Sequence, residues 1–196
     1  MRRVLLFAIL TVVILISVTL TAQTTRKPFF PVPPKLETLS TTASLDPSMK
    51  AAIAEQLQTG SCKLRGAEKY SAAEVDLKHE GPAIVVRVQD ACLCDAGGNC
   101  PMYVFRQEHK GESKLVLHDA QGFAFALIPN PKGGDTPELL IASHTSANVT
   151  SLQRYRWKGG RFKLQDCEAA VRKEDAQSSW NPEELEVAGC DAIALR

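Results

Sequence analysis

The feature that most constrains the fold is a series of seven short β-type runs separated by glycine-bearing turns. Several runs alternate apolar and polar residues, which is typical of an antiparallel strand with one face in a core. The segment YRWKGGRF is typical of a hairpin. The runs predict a mainly β fold of antiparallel sheets, and they are Ala83–Val88, Met102–Arg106, Lys114–His118, Phe123–Ile128, Glu138–Ser143, Ser151–Trp157 and Arg161–Gln165.

One short helix is predicted before the strands, in DPSMKAAIAEQLQTG. Asp46 is a good N-cap, Pro47 suits the first helical position, and Gly60 follows the predicted end. Apolar residues recur every four positions and make one stripe at Met49, Ile53 and Leu57.

The C-terminal tail is predicted to be helical or irregular. CEAAVRKEDAQ, residues 167–177, is helix-permissive, and the NPEE segment that begins at Asn181 is a good cap for one short turn.

The two halves of the strand region resemble each other. The segment from Gly81 matches the segment from Thr136 at an offset of 55 residues, and Tyr103 matches Tyr155 at an offset of 52. Repeat-like units are therefore predicted at about 66–118 and 119–167, each with a strand, a loop and a hairpin. One such unit cannot bury its own apolar face, so the two are expected to pack together.

The segments GGDTPELLI, GNCPMYVFR and LQRYRWKGGRFKL resemble FG-GAP/VCBS-type β-repeats of exported bacterial proteins of uncharacterised function, over roughly Val75 to Cys167. The resemblance implies a β architecture and export. In better-preserved repeats of this type an Asp-rich turn binds Ca²⁺. The corresponding turns here keep only Asp76 and Glu80 in one unit and Asp135 in the other. Calcium takes six to eight oxygen ligands, so the resemblance does not establish calcium binding.

The N-terminus predicts export. Arg2 and Arg3 precede an apolar run of about 15 residues, and Ala22 offers a cleavage position, which is the anatomy of a secretory signal peptide. Residues 1–22 are thus either a cleaved leader or an uncleaved membrane anchor through residues 4–20. Residues 23–45 are rich in proline and threonine and predict an extended tether. A single globular domain is predicted over residues 46–196.

The cysteines are the first candidate site, because CLCDAGGNC places three of them within nine residues. An even number in an exported chain favours disulfides. One pairing joins Cys94 to Cys100, and Cys167 to Cys190, and leaves Cys62 and Cys92 as partners. A metal site and a redox CxC pair are the alternatives, although the spacing does not match paired CxxC ligands.

Catalytic motifs are missing from the sequence, which has no GxSxG and no HExxH. The adjacent pairs Ser143-His144 and His118-Asp119 are the nearest approach to a hydrolase site. Neighbours on a strand point to opposite faces, so these pairs are predicted to be polar residues at strand ends.

The second candidate site is a basic patch for an anionic partner, formed by Arg154, Arg156, Lys158, Arg161 and Lys163. On a hairpin Arg154, Arg156 and Lys158 share one face, and Tyr155 and Trp157 share the other. A solvated basic face over a buried aromatic face is the alternative.

The sequence therefore predicts an exported, disulfide-stabilised β-rich binding or scaffold domain, periplasmic or extracellular, without catalytic activity. The alternative is an envelope enzyme, either a hydrolase or a CxC thiol-redox protein. The partner is unknown, and an envelope polymer or an exported protein is the candidate. The formal net charge of +1 gives no indication of nucleic-acid binding, and no metal or other cofactor is predicted.

Overall fold

The structure, a computed structural model, describes residues 34–39, 45–57, 62, 69–108, 111–172 and 185–189. Within these ranges the chain is mainly β, as predicted, with two antiparallel sheets and one short α-helix. In chain order the elements are β1 (Glu37–Thr38), α1 (Pro47–Leu57), β2 (Lys69–Asp76), a 3-10 turn (Lys78–Glu80), β3 (Pro82–Gln89), β4 (Cys100–Gln107), β5 (Ser113–Gly122), β6 (Ala124–Ile128), β7 (Glu138–Ser146), β8 (Val149–Trp157), β9 (Phe162–Arg172) and β10 (Leu185–Gly189).

Each sheet is a meander of consecutive strands. The smaller sheet has the order β2-β3-β4-β5, and the larger sheet has the order β1-β6-β7-β8-β9-β10. Every strand pair is antiparallel. Over the described ranges, the chain therefore completes one sheet before it builds the next, and only the short β1 joins the larger sheet from upstream.

The main core lies between the two sheets. Side chains of β3 and β4, such as Val85 and Val104, pack against Phe125, Leu139 and Ile141 of β6 and β7 in one buried cluster. Burying an aliphatic side chain of this size stabilises the fold by roughly 1.5–3 kcal/mol, so this cluster holds the sheets together.

The helix α1 covers part of the outer face of the smaller sheet. It begins as predicted, because Asp46 Oδ1 accepts a hydrogen bond from the Met49 amide at 2.8 Å. Met49 and Ile53 are buried against Val86 and Phe105. The apolar stripe predicted from the spacing is thus the face that packs.

At matched positions of the two repeat-like units, the side chains point in the same direction along the axis on which the two sheets stack. Tyr103 lies on the outer face of the smaller sheet beneath α1, whereas its match Tyr155 lies between the sheets. Val85 lies between the sheets, whereas its match Leu140 lies on the outer face of the larger sheet. The sheets therefore stack front to back like successive repeats, rather than face to face.

The C-terminal prediction needs correction. The segment expected to be helix-permissive continues β9 as far as Arg172, and residues 185–189 form β10. The exposed edge of β8 offers hydrogen-bond partners along the whole segment, with Val171 opposite Val149. Ala169 and Ala170 are buried there, so sheet pairing overrides the helix propensity of the alanines.

The packed part of the chain begins earlier than Asp46. Leu39, inside the segment predicted to be a tether, is buried in the main core, and Glu37–Thr38 pair with β6. The sequence also gave no indication of β2, because KYSAAEVD is rich in alanine and lacks a clear alternation. Residues 1–33 lie outside the described residues, so the leader and most of the tether stay predictions.

Candidate functional site

The strand connections fall at two ends of the stacked sheets, because alternate connections of a meander lie at the same end. The connections after β3 and β7 meet at what we call the stapled end, where Asn99 contacts His144. The connections after β2, β4, β6 and β8 meet at what we call the open end. There His79 lies 3.2 Å from Asp135, and the Arg106 guanidinium lies over the Trp157 ring.

The CLCDAGGNC segment forms the stapled end. Cys62 is bonded to Cys92 with a Cα–Cα distance of 5.8 Å, and Cys94 is bonded to Cys100 with a Cα–Cα distance of 4.1 Å. These are the two pairs that the sequence predicted. The first bond ties the chain before β2 to the loop after β3, and the second closes that loop on itself.

Asn99 connects this loop to the other sheet. Its side chain is buried, and Nδ2 donates to Asp95 Oδ2 and to the His144 carbonyl, both at 2.8 Å. Oδ1 accepts from the His144 amide at 2.7 Å. The amide side chain therefore pairs with the backbone of His144 as a neighbouring strand would. The His144 ring in turn stacks on Phe123 at 3.8 Å.

Asp95 orders the same loop. Its carboxylate accepts from the Asn99 side chain and, at 2.9 Å, from the Asn99 amide. These hydrogen bonds, the side-chain one first, lower the pKa of Asp95 below its ordinary value. CLCDAGGNC is thus a structural staple whose polar side chains are hydrogen-bonded within its own turn and to the backbone of His144.

The third cysteine pair is described only in part. Cys167 is disulfide-bonded, and its Sγ lies 3.4 Å from Ser151 Oγ. Cys190 lies outside the described residues, so the Cys167–Cys190 pairing stays a prediction. Among the described residues there is no free cysteine and no cluster of three or more potential metal ligands.

The residues considered for hydrolysis have structural partners. Ser143 Oγ donates to the Gln121 carbonyl, which links β7 to β5. His144 is held on Phe123, and His118 Nδ1 lies 2.8 Å from Asp119 Oδ1. Ser143 therefore donates to a backbone carbonyl, whereas a nucleophile would donate to a histidine base.

The predicted basic patch is divided by the structure. Tyr155 faces the core as expected, and Lys158, Arg161 and Lys163 are exposed. Arg154 and Arg156 are half-buried and engaged by carboxylates, so only the three exposed cations present an uncompensated charge to solvent. The anionic-partner patch stays a prediction that now rests on those three residues.

The two arginines belong to a buried ionic network on the outer face of the larger sheet. Arg154 pairs with Asp166 and lies 3.4 Å from Glu138, and Arg156 pairs with Glu138 at 2.6 Å. The Asp166 carboxylate, ahead of other effects, raises the pKa of the Arg154 guanidinium. Glu138 is fully buried, so this network specifies how β7, β8 and β9 align.

The carboxylates of the repeat turns are also engaged. Asp76 accepts from the Lys78 amide at 2.8 Å, and Glu80 pairs with Arg106 at 2.8 Å. Asp135 lies beside His79. The carboxylates of these turns thus contact amides and cationic side chains at the same end of the molecule. In a calcium-binding repeat, the corresponding residues would instead converge on an ion.

A cleft of about 1150 Å³ opens on the outer face of the smaller sheet, near the open end. The start of α1, with Leu45 and Met49, forms one wall, and the connections after β2 and β4 form the others. Its floor is the part of the sheet that α1 leaves partly uncovered, including Ile84 and Ala72. It is therefore a surface built by three separate parts of the chain.

The cleft combines apolar surface with excess negative charge. Four carboxylates are among its described lining residues, at Asp46, Glu74, Glu80 and Glu108. Arg106 is the only lysine or arginine among those residues, and it pairs with Glu80 and Glu108. Hydrogen bonds from these two side chains, that from Glu108 first, raise the pKa of Arg106. With His79 neutral, the described lining carries a net charge of −3, from four carboxylates against one guanidinium.

The sequence did not predict this cleft, because its parts are distant along the chain and one of them, β2, was not recognised. A partial signal was present: Glu74, Asp76 and Glu80 cluster before and after the turn that ends at Gly81. Asp76 and Glu80 of that cluster also belong to the turn that the resemblance matches to a calcium-binding one.

Comparison with protein-family models, curated proteins and solved structures finds no match to this chain. Over the described part of the chain, no helix is long and apolar enough to cross a membrane.

Proposed function

We propose that this protein is an exported binding domain without catalytic activity, which holds its partner in the cleft on the outer face of the smaller sheet. The observation that carries the proposal is the cleft itself, with a volume of about 1150 Å³ and a mixed apolar and acidic lining. Binding sites are concave, largely preformed and lined by apolar groups with a few placed polar groups.

Export is supported by two independent features. The described cysteines are all disulfide-bonded, which is typical of proteins in oxidising compartments. Arg2 and Arg3 are followed by an apolar run of about 15 residues, which resembles a secretory leader.

A non-enzymatic role is supported by the use of the chemically versatile side chains. Ser143, His144 and Asn99 tie the sheets together, and Cys92 and Cys94 are bonded to other cysteines. Among the described residues, we find no grouping of catalytic side chains that would support the alternative of an envelope enzyme.

We likewise propose that the two sheets are degenerate repeats of the FG-GAP/VCBS type. Their front-to-back stacking, with Tyr103 and Tyr155 at matched positions on faces that point the same way, supports this. Stacking of this kind leaves the outer face of the first repeat in need of a cover, and α1 covers only part of it.

The test blocks the cleft without altering the core. Gln107, an exposed residue of β4, lines the cleft, and Gln121 is an exposed residue of β5 outside it. Gln107→Trp fills the cleft, and Gln121→Trp is the matched control with the same change in side chain. Each protein is immobilised and titrated with an extract of exported proteins and envelope material from the same cells, with bound mass followed by surface plasmon resonance.

We expect saturable binding by the wild type and by Gln121→Trp, and a loss of at least about tenfold in Gln107→Trp, because tryptophan occupies the volume of the partner. Equal binding by all three proteins would exclude the cleft as the site. Turnover of a substrate in the extract by the wild type, lost in Gln107→Trp, would favour the enzyme alternative.

A further inference from the structure

The cleft reaches the backbone edge of β2. Ala72, Ala73 and Glu74 are consecutive residues of this strand, and all three line the cleft. Successive side chains of a strand point to opposite faces, so a surface lined by neighbours passes along the strand's edge. β2 is the outermost strand of the smaller sheet, and in the described part of the chain it pairs only with β3.

This edge has the composition of a pairing site for a basic strand. An exposed edge is usually blocked by proline, a bulge or lysine side chains. β2 contains no proline and pairs with β3 in uninterrupted register from Lys69 to Asp76. Small alanines occupy its middle, and its charged residues near the cleft are acidic. These acids disfavour an acidic strand and favour a basic one.

The floor of the cleft is a face that the fold covers elsewhere. Ile84 is matched by Leu139 in the other repeat-like unit. Leu139 is 1% exposed because the smaller sheet packs on it, whereas Ile84 is only half-buried beside α1. The outer face beside β2 is thus open to the side chains of an added strand, because Ile84 and its register partner Glu74 share that face.

The charge of the cleft indicates which kind of segment would bind there. Arg106 is already held by Glu80 and Glu108, and Asp46 by the helix amide it caps. Glu74 is exposed at the edge, and no hydrogen bond or ion pair to it is found within the described ranges. Among its described lining residues, the open cleft therefore offers carboxylates to a cation beside apolar surface, and no uncompensated cation to an anion.

On the basis of the proposed function, we propose that the cleft binds an extended, lysine- or arginine-bearing segment of a partner protein, which pairs with β2 as an added strand. Backbone hydrogen bonds to the β2 edge supply the affinity that is independent of sequence. The alternate side chains of the added segment divide between two environments. Basic ones lie on the outer face beside Glu74, which shares that face with its register partner Ile84. Apolar ones lie on the opposite face beside Ala73 and Val75, which pack against the main core.

The probe is a blocked peptide of about nine residues that alternates lysine and valine, which is long enough to cover β2. Two matched peptides separate the contributions. In the first, glutamate replaces lysine. In the second, the lysine and valine side chains are kept, but the backbone amides are N-methylated and cannot donate to a strand edge. Binding to the full exported protein is measured by isothermal titration calorimetry.

We expect the lysine peptide to bind at least about tenfold more tightly than either matched peptide. The glutamate peptide loses charge complementarity, and the N-methylated peptide loses strand pairing. Hydrogen–deuterium exchange should show added protection in β2 and none in β5, the opposite edge of the same sheet. Equal binding of the N-methylated peptide, or protection at β5, would overturn pairing with β2.

Glu74→Gln should weaken binding of the lysine peptide by about threefold to tenfold, because it removes the exposed carboxylate at the edge. Glu37→Gln is the control, the same change at an exposed position in β1 of the larger sheet, and should leave the affinity within about twofold. Equal effects of both variants would assign the binding to net charge and overturn the site.

The outcome separates this inference from the proposed function. If Gln107→Trp abolishes binding of the natural extract while none of the peptides binds, the cleft is a binding site but its partner is not a basic strand. If neither the extract nor any of the peptides binds, both proposals fail.

Discussion

The two ends of this molecule join the same two sheets by different chemistry. At the stapled end, two disulfides and the buried Asn99 fix one loop to itself and to β7. At the open end the His79–Asp135 pair has both side chains about three-quarters exposed, at 74% and 75%, and the Arg106 guanidinium lies over the Trp157 ring. Covalent and buried contacts tolerate little movement, whereas exposed side-chain pairs are weak and exchange with water. The difference predicts that the stapled end is the more rigid of the two.

The largest effect is expected from removing the staples. The Cys62–Cys92 bond spans 30 residues, and its removal by a double change to alanine should lower the free energy of unfolding by about 4 kcal/mol on the chain-entropy model. The Cys94–Cys100 bond spans only six residues, and the same change should cost about 2 kcal/mol. Urea unfolding of both variants measures this. A larger loss from the short loop would show that the bond acts through the folded loop.

The next comparison sets Asn99 against His79. Asn99→Ala removes hydrogen bonds to the His144 amide and carbonyl within a buried contact, and should cost about 2–3 kcal/mol. His79→Ala removes an exposed pair and should cost less than about 0.5 kcal/mol. Both are measured by urea unfolding at pH 7. Similar costs would mean that the two ends are equally important for stability.

Two glycines test the packing of the ends. A Cβ on Gly122, where β5 leads into β6, would lie 2.6 Å from the Ala142 carbonyl oxygen, so backbone must move. Gly122→Ala should therefore cost about 1–3 kcal/mol. At the open end, a Cβ on Gly134 meets the Asn130 side-chain amide, which can rotate away, and Gly134→Ala should cost less than about 0.5 kcal/mol. Thermal unfolding of both variants gives the comparison, and a costly Gly134→Ala would show a rigid open end.

The stapled end was largely predictable from sequence, and the open end was not. Cys94, Gly97, Gly98 and Cys100 lie within one short segment, so spacing alone suggested that the loop closes on itself. The role of Asn99 depends on His144, 45 residues away, and no local pattern shows that contact. Strands with clear alternation were found to within a few residues, because half-burial leaves a period of two in the sequence.

The errors have a common physical cause. β2 and the end of β9 are rich in alanine, whose local preference is helical, and each is made a strand by the edge on which it pairs. In the same way, the sequence predicts that Arg154 and Arg156 belong to a solvent-facing patch, whereas in the structure they pair with Asp166 and Glu138. The cleft could not be predicted for the same reason, because β2, which lines it, is an unpredicted strand.

The smallest expected effect concerns the pKa of one carboxylate at each end of the molecule. Asp95 and Asp76 both have a lowered pKa, Asp95 mainly through the Asn99 side chain and Asp76 mainly through the Lys78 amide in its own turn. A carboxylate whose pKa is lowered by folding adds stability above its unfolded pKa of about 3.9, and that stability is lost as the pH falls through the lowered folded value. Carboxyl-carbon NMR titration should therefore give midpoints below about 3.9 for both residues. In Asn99→Ala the midpoint of Asp95 should rise toward its ordinary value, because the main donor is gone, while that of Asp76 should not move. If both midpoints rise, the loss of Asn99 has loosened the whole molecule, and the two ends are coupled through the sheets instead of being held independently.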